Sequence, residues 1–434
     1  MTHTLKQLQT GQLKGATSLH LSEGLTAFPE EIFDLADTLE VLSLTNNKLS
    51  ALPAQFGRLT KLKIFFCSDN LFTTLPEVLA DCPLLEMVGF KANRIETVPP
   101  RSLNPNLRWL ILTDNKITSL PGTIGRCTRM QKLMLAGNRL TCLPAELSQC
   151  RDVGLLRISA NHFTELPAWL LSMPKLAWLA FAGNPFSKAH TAQSASLISW
   201  DTLQIGQVLG EGASGIIYKA AWQHEGKTKE VAVKIFKGHV TSDGLPEDEL
   251  QASIAAGAHP GLIPIIGQIT GHPEHKKGLV MELIPPHYHN LSLPPSFDSC
   301  TRDVFAPGIS LTAQQVVNIT TTIASVAAHL HSRGIMHADL YAHNTLIDDN
   351  GQTLFGDFGG ACFYDTANKP VTDALQRLEV RAYGYLLDDL LNLCSEPKTD
   401  EALSKIAALR TNCLDDNVSL RPSFEFLVES LAKV

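Results

Sequence analysis

Apolar residues in the first half of the chain recur on a fixed beat. "LEVLSLTNNKLSALP" (39–53), "LKIFFCSDNLFTTLP" (62–76), "LEMVGFKANRIETVP" (85–99) and "LRWLILTDNKITSLP" (107–121) share one frame, which "MQKLMLAGNRLTCLP" (130–144) and "VGLLRISANHFTELP" (153–167) continue. Asparagines stand at 47, 70, 93, 115, 138, 161 and 184, always 22 or 23 residues apart. A repeat of this length marks stacked supersecondary units. Each unit predicts one short strand whose alternate apolar side chains point inward, and because it cannot bury that face alone, neighbours must stack. The repeated Asn suits a turn where its amide satisfies backbone groups that leave the ladder. "LHLSEGLTAFP" (19–29) is an atypical first unit without that Asn, and "LAWLAFAGNPFS" (176–187) an incomplete last one.

The frame resembles the leucine-rich repeat, L-x-x-L-x-L-x-x-N-x-L-x-x-L-P, over roughly residues 16–187. The resemblance implies a solenoid of about eight units of 22–23 residues, occupying residues 1–187. The variable strand positions face the concave side of such a horseshoe. Val41, Ile64, Met87, Trp109, Lys132, Leu155 and Trp178 stand there, with Phe66, Ile111 and Met134 two positions after three of them, an apolar stripe where solvent is expected. Either an apolar framework tolerates hydrophobes at these positions, or the stripe is a docking surface for another protein or for this chain's own second half.

Residues 188–200 are mostly small and polar without a period and read as a linker. The pattern then changes. "QIGQVLGEGASGIIYKAAW" (204–222) carries Gly210, Gly212 and Gly215 as G-x-G-x-x-G, followed by Ile216, Ile217 and Tyr218. A β-branched and aromatic run after the glycines predicts a second strand, so the segment reads as a glycine hairpin able to close over phosphates rather than a dinucleotide-binding turn into a helix. "EVAVKIFK" (230–237) is a strand carrying Lys234, and "LPEDELQASIAAGAHPGLI" (245–263) a helix that offers Glu249, or alternatively Glu247, to hold the ammonium. "GLVMELIPP" (278–286) reads as a strand entering a hinge, and Ile323, Val326 and Leu330 have helical spacing ahead of "HADLYAHN" (337–344) and "LFGDFGG" (354–360).

Five motifs in this order resemble the protein kinase fold over about residues 201–434. The expected architecture is a multidomain α/β plus α+β chain, a leucine-rich-repeat solenoid followed by a bilobal protein-kinase-like domain. The resemblance implies ATP and Mg²⁺ as cofactors and assigns roles by position. Asp339 would orient the attacking hydroxyl and accept its proton. Asn344 and Asp357 would hold Mg²⁺, and Lys234 with Glu249 would anchor the phosphates. The nucleotide would lie against Leu209, Gly210, Glu211, Gly212, Ala213, Ser214, Gly215, Ile216, Ile217 and Ala232, its adenine on backbone groups near Glu282 and Leu283.

Several positions depart from that family. Ala338 replaces an arginine that pairs with phosphate on the activation segment, so activity is expected not to depend on phosphorylation there. Tyr341 replaces the lysine that neutralises the γ-phosphate in serine/threonine kinases. His343 lies where tyrosine kinases place arginine; it either supplies part of the missing charge or is an ordinary loop histidine. "EVRAYG" (379–384) aligns with D-x-W-x-x-G, putting Glu379 at the aspartate position, and Arg421 lacks its customary glutamate. No A-P-E occurs, and the peptide-docking part of the C-lobe looks reduced. Phosphate chemistry is equipped more fully than substrate recognition. A protein kinase of Ser/Thr type with autophosphorylation is the leading expectation; a pseudokinase scaffold and a small-molecule phosphotransferase are the alternatives.

Composition narrows the setting. Of 434 residues, 44% are hydrophobic and 18% charged, an ordinary soluble composition with neither an 18-residue apolar run nor a signal-peptide core, so a cytoplasmic protein without membrane spans is expected. Residues 1–190 hold 19 Lys/Arg against 15 Asp/Glu, and the remainder 17 against 28, which gives nucleic-acid binding no support. Nine cysteines at mostly apolar positions read as small buried hydrophobes rather than bridges.

Overall fold

A computed structural model describes residues 2–187, 195–212, 214–238, 240–241, 243–396 and 400–433. Its contacts group into two compact units, Met1–Lys175 and Leu176–Val434, so the last repeat strand falls in the second unit, ahead of the expected boundary at 187.

The first unit opens with a short helix, α1 (Leu5–Gln9), closed by a capping box between Thr4 and Gln7. Seven three-residue strands follow: β1 (Ser18–His20), β2 (Val41–Ser43), β3 (Ile64–Phe66), β4 (Met87–Gly89), β5 (Trp109–Ile111), β6 (Lys132–Met134) and β7 (Leu155–Arg157). They pair in parallel in chain order, with Leu42, Phe65, Val88, Leu110 and Leu133 in register on the inner side. Between strands the chain returns through single 3₁₀ turns such as Ala54–Arg58 and Gly122–Arg126, each entered from a proline whose fixed φ sets the extended approach. The asparagine ladder forms as expected. Asn138 accepts from the Ile117 amide at 3.0 Å and donates to the carbonyls of Leu112 and Leu135 at 2.9 Å, and Asn70, Asn115 and Asn161 repeat the arrangement. The residue just before the asparagine takes a positive φ in unit after unit: Asn46, Asp69, Ala92, Asp114, Gly137 and Ala160. A ring column of Phe28, Phe56, Phe65, Phe90 and Phe72 fills the interior.

The apolar stripe is less exposed than expected. Ile64, Met87, Met134 and Leu155 are buried, while Val41, Phe66, Trp109 and Ile111 are half-buried. Long side chains here lie across their neighbours: the Phe66 ring covers Gly89, where a Cβ would meet it at 2.5 Å, and the Lys132 ammonium sits 4.3 Å above the Trp109 ring. All nine cysteines are free, and burial pushes the thiols of Cys82 and Cys127 up to about 12.

The second unit begins with β8 (Trp178–Ala180). Part of the expected linker is structured, because β9 (Leu197–Ser199) lies parallel to a later strand with Ile198 in the core. A hairpin of β10 (Leu203–Glu211) and β11 (Gly215–His224) continues into β12 (Lys227–Phe236), α2 (Pro246–Ala256), β13 (Ile265–Thr270) and β14 (Gly278–Glu282), giving the sheet order β10-β11-β12-β14-β13-β9. β15 (His289–Asn290) leads through an irregular segment to α3 (Ala313–Ser332), whose Ile323, Val326 and Leu330 are buried as their spacing predicts. Next come β16 (Ile335–Met336), β17 (Thr345–Ile347), β18 (Thr353–Phe355) and β19 (Cys362–Phe363), then α4 (Lys369–Leu393), α5 (Glu401–Cys413) and α6 (Phe424–Leu431). Gly384 lets α4 press against α5, where a Cβ would meet Cys413 and Leu414 at 2.9 Å. Among the described residues no helix is long and apolar enough to cross a membrane.

Candidate active site

The β10–β11 turn is the expected glycine hairpin. Gly210 and Gly212 have open space where a Cβ would stand, whereas a Cβ on Gly215 would lie 2.6 Å from the Ile235 carbonyl, so one glycine permits close strand packing and two leave room above the hairpin. Register places Ile217 opposite Lys234, and Glu211 opposite Ile216. Leu209, Glu211 and Gly212 are exposed, Ser214 and Ala232 buried, and Ala213 lies outside the described residues. Glu282 ends β14 opposite Val231, with Leu283 half-buried just beyond it.

Lys234 and Glu249 form an ion pair in which both side chains are largely buried. Helix α2 therefore presents Glu249, while Glu247 pairs with Lys277 at the surface. Burial works against the Lys234 charge, but the Glu249 and Asp357 carboxylates outweigh it and hold its pKa above the ordinary lysine range. Asp357 is exposed and left-handed at φ 57°, and a Cβ on the adjoining Gly359 would lie 3.3 Å from Asp357 Oδ1 and 3.9 Å from Glu249 Oε2. The glycine after Phe358 thus allows the three groups to converge.

The loop from β16 to β17 carries Asp339 and Asn344. Asn344 Nδ2 donates to Asp339 Oδ2 at 2.8 Å and to its carbonyl at 2.9 Å, which turns the amide oxygen of Asn344 away from that pair. The remaining donors, the Asn344 amide oxygen and the Asp357 carboxylate, are hard oxygen ligands that suit Mg²⁺. His337 is buried between the rings of Phe355 and Phe358, and its Nε2–H donates to the Gly356 carbonyl at 3.1 Å; burial depresses its pKa. Ala338 sits at φ 61° and donates its amide to Glu379 Oε1 at 2.6 Å, while Glu379 Oε2 meets His331 Nε2 at 2.7 Å. Glu379 thus fills the aspartate position of the α4 motif and ties that helix to the loop.

Two loop partners lie outside the kinase motifs; one carried no sequence signal, and the other is a stripe position of the repeats. Asp303, from the irregular segment before α3, accepts from the Ala342 amide at 2.7 Å and pairs with His343 Nδ1 at 2.7 Å. Burial opposes protonation of His343, but Asp303, Asp339 and Asp357 together raise its pKa. Trp178 of the last repeat is the other. It is buried against Tyr341, so the tyrosine that stands in the lysine position faces an indole. Arg421 is also buried, its guanidinium donating to the carbonyls of Asp415 and Arg377.

Comparison with known proteins agrees with this geometry. Residues 203–382 match the family of protein tyrosine and serine/threonine kinases, and residues 38–59 match the leucine-rich repeat. The chain joins leucine-rich repeats to a protein kinase domain. The chain is similar to a probable serine/threonine-protein kinase of Dictyostelium discoideum, 26% identical over 53% of this chain and 16% of the relative. The phosphorylase b kinase gamma catalytic chain, liver/testis isoform, of Bos taurus is 27% identical over 46% of this chain and 45% of its own length. The serine/threonine-protein kinase PITSLRE of Drosophila melanogaster is 29% identical over 41% and 18%. The chain spans less than half the length of these relatives.

Proposed function

We propose that the protein is an active, Mg²⁺-dependent kinase that transfers the γ-phosphate of ATP to serine or threonine hydroxyls, its own among them, with the repeats selecting the partner. The observation that carries this reading is the joint presence of a formed Lys234–Glu249 pair and an Asp339–Asn344 hydrogen bond at 2.8 Å. Lys234 would clamp the α- and β-phosphates, the glycine hairpin would cover them, and Asp339 would hold the acceptor hydroxyl and take its proton. Asn344 and Asp357 would bind Mg²⁺, which supplies charge neutralisation at the phosphates. His343, its pKa raised by Asp303 against the effect of burial, would add positive charge beside the γ-phosphate in place of the missing lysine.

Incubation with labelled ATP tests the proposal. Wild type should label itself or a protein from a panel, and Asp339→Asn should lose at least about a hundredfold in rate while binding Mg·ATP normally. Unlabelled protein with normal Mg·ATP binding would instead leave a scaffold. The short segment between Gly359 and α4 favours a second reading, a kinase of small hydroxylated molecules, which labelled product from such compounds alone would establish. For partner selection, the half-buried Phe66, Trp109 and Ile111 are the stripe positions to mutate.

A further inference from the structure

We infer that Trp178, a residue of the last repeat, is a positioning residue for the kinase catalytic loop. Its ring stacks on Tyr341 at 4.3 Å with the planes 4° apart and on Tyr385 of α4 at 5.3 Å and 15°. The indole N–H donates to the carbonyl of Leu340 at 3.0 Å, the residue directly after Asp339. At 1% exposure the side chain is fully desolvated, a setting in which that hydrogen bond has no water to compete with it.

The same repeat reaches the segment after Asp357. The Phe181 amide donates to Cys362 Sγ at 3.0 Å, and the Ser187 hydroxyl donates to the Phe363 carbonyl at 3.0 Å. Both acceptors belong to β19, which pairs with β16 immediately before the catalytic loop. The last repeat therefore holds both strands of chain that flank Asp339: the loop through Trp178 and the activation segment through Phe181 and Ser187. Ala338 offers no guanidinium by which a phosphate could order that segment. A covalently attached, buried brace supplies the order instead, and the loop is held in one geometry without modification. Small displacement of a catalytic carboxylate is costly in rate, so loosening the brace acts on turnover more than on nucleotide binding.

This inference rests on the kinase reading for its rate measurements, and hydrogen exchange tests it without them. In the full chain, Trp178→Ala should lower kcat by about tenfold to a hundredfold with KM for ATP within about twofold. Trp178→Phe, which keeps a stacking ring, should recover most of that loss. Tyr341→Leu should lower kcat to a similar extent, and combining it with Trp178→Ala should cost little more than either alone, since both break one contact. Amides over 338–345 should exchange faster in Trp178→Ala than in wild type, at unchanged exchange in the β10–β12 strands.

Wild-type kcat and wild-type exchange in Trp178→Ala would overturn the inference, as would additive losses in the double variant. A rise in kcat would also overturn it, by showing that the contact restrains the loop. Should Trp178→Ala fail to fold, Trp178→Phe and Tyr341→Leu carry the same comparison, the former near wild type and the latter impaired. If wild type transfers no phosphate at all, the kinase reading falls, while faster exchange at 338–345 alone would still support the brace.

Discussion

Alanine at 338 occupies a backbone conformation, φ 61°, that costs an L-residue roughly 1–2 kcal/mol, and the buried Glu379 carboxylate is what holds it there. That turn lies directly before Asp339, whose carboxylate accepts from Asn344 Nδ2 at 2.8 Å. The repeats use the same conformation for another end. Turning the chain left-handed at Asn46, Asp69, Ala92, Asp114 and Ala160 lets the next asparagine reach the turn of the preceding unit. Because Asn138 meets one buried amide and two buried carbonyls, Asn138→Ala should leave several polar groups unpaired and destabilise the repeats by at least about 2 kcal/mol in urea unfolding. A loss under about 0.5 kcal/mol would mean that water replaces the amide.

At the scale of elements, the join between α3, the catalytic loop and α4 runs through one buried carboxylate. Glu379 on α4 faces His331 on α3 and the Ala338 amide. Burial alone would raise the Glu379 pKa, but the hydrogen bonds from His331 and Ala338 and the nearby imidazoles bring it below the ordinary glutamate value. A carboxyl with a lower pKa folded than unfolded stabilises the fold above its unfolded value and loses that contribution as pH falls. Wild type should therefore lose stability as pH drops below about 4.3, and its advantage over Glu379→Gln should shrink over that range when melting temperatures are compared. A difference that stays constant down to pH of about 3 would show that Glu379 acts by packing alone.

For the molecule as a whole, two stabilising strategies meet in one chain. The repeats depend on neighbour-to-neighbour stacking of three-residue strands, whereas the kinase domain packs a six-stranded sheet and long helices around non-local contacts. Neither uses a disulfide. Cys142 is exposed, Cys394 half-buried and the other seven cysteines buried. Under native conditions a thiol reagent should thus modify one cysteine quickly and a second slowly, and reducing agent should leave the melting temperature unchanged. Rapid reaction of several thiols would show that the packing around the buried cysteines opens locally.

The sequence by itself determined whatever is written in local periods and short motifs. Apolar spacing with a recurrent asparagine specified the stacked strands, and the glycine hairpin, Lys234, the loop at 337–344 and Asp357-Phe358-Gly359 specified the kinase pattern, because each of these is set by residues within one or two elements of each other. Partnerships across long loops were decided only by the tertiary structure. Trp178 and Leu340 are 162 positions apart, Glu379 and Ala338 are 41, and Asp303 and His343 are 40. A local pattern gives an apolar residue a direction and not a partner, so for the stripe that contains Trp178 it left open another protein, the chain's own second half or no partner at all. Likewise Tyr341 read as a lost charge, and Arg421 as an arginine without a counterion. Folding closed those distances, and in doing so it gave the tyrosine an indole to stack on and the arginine two backbone carbonyls.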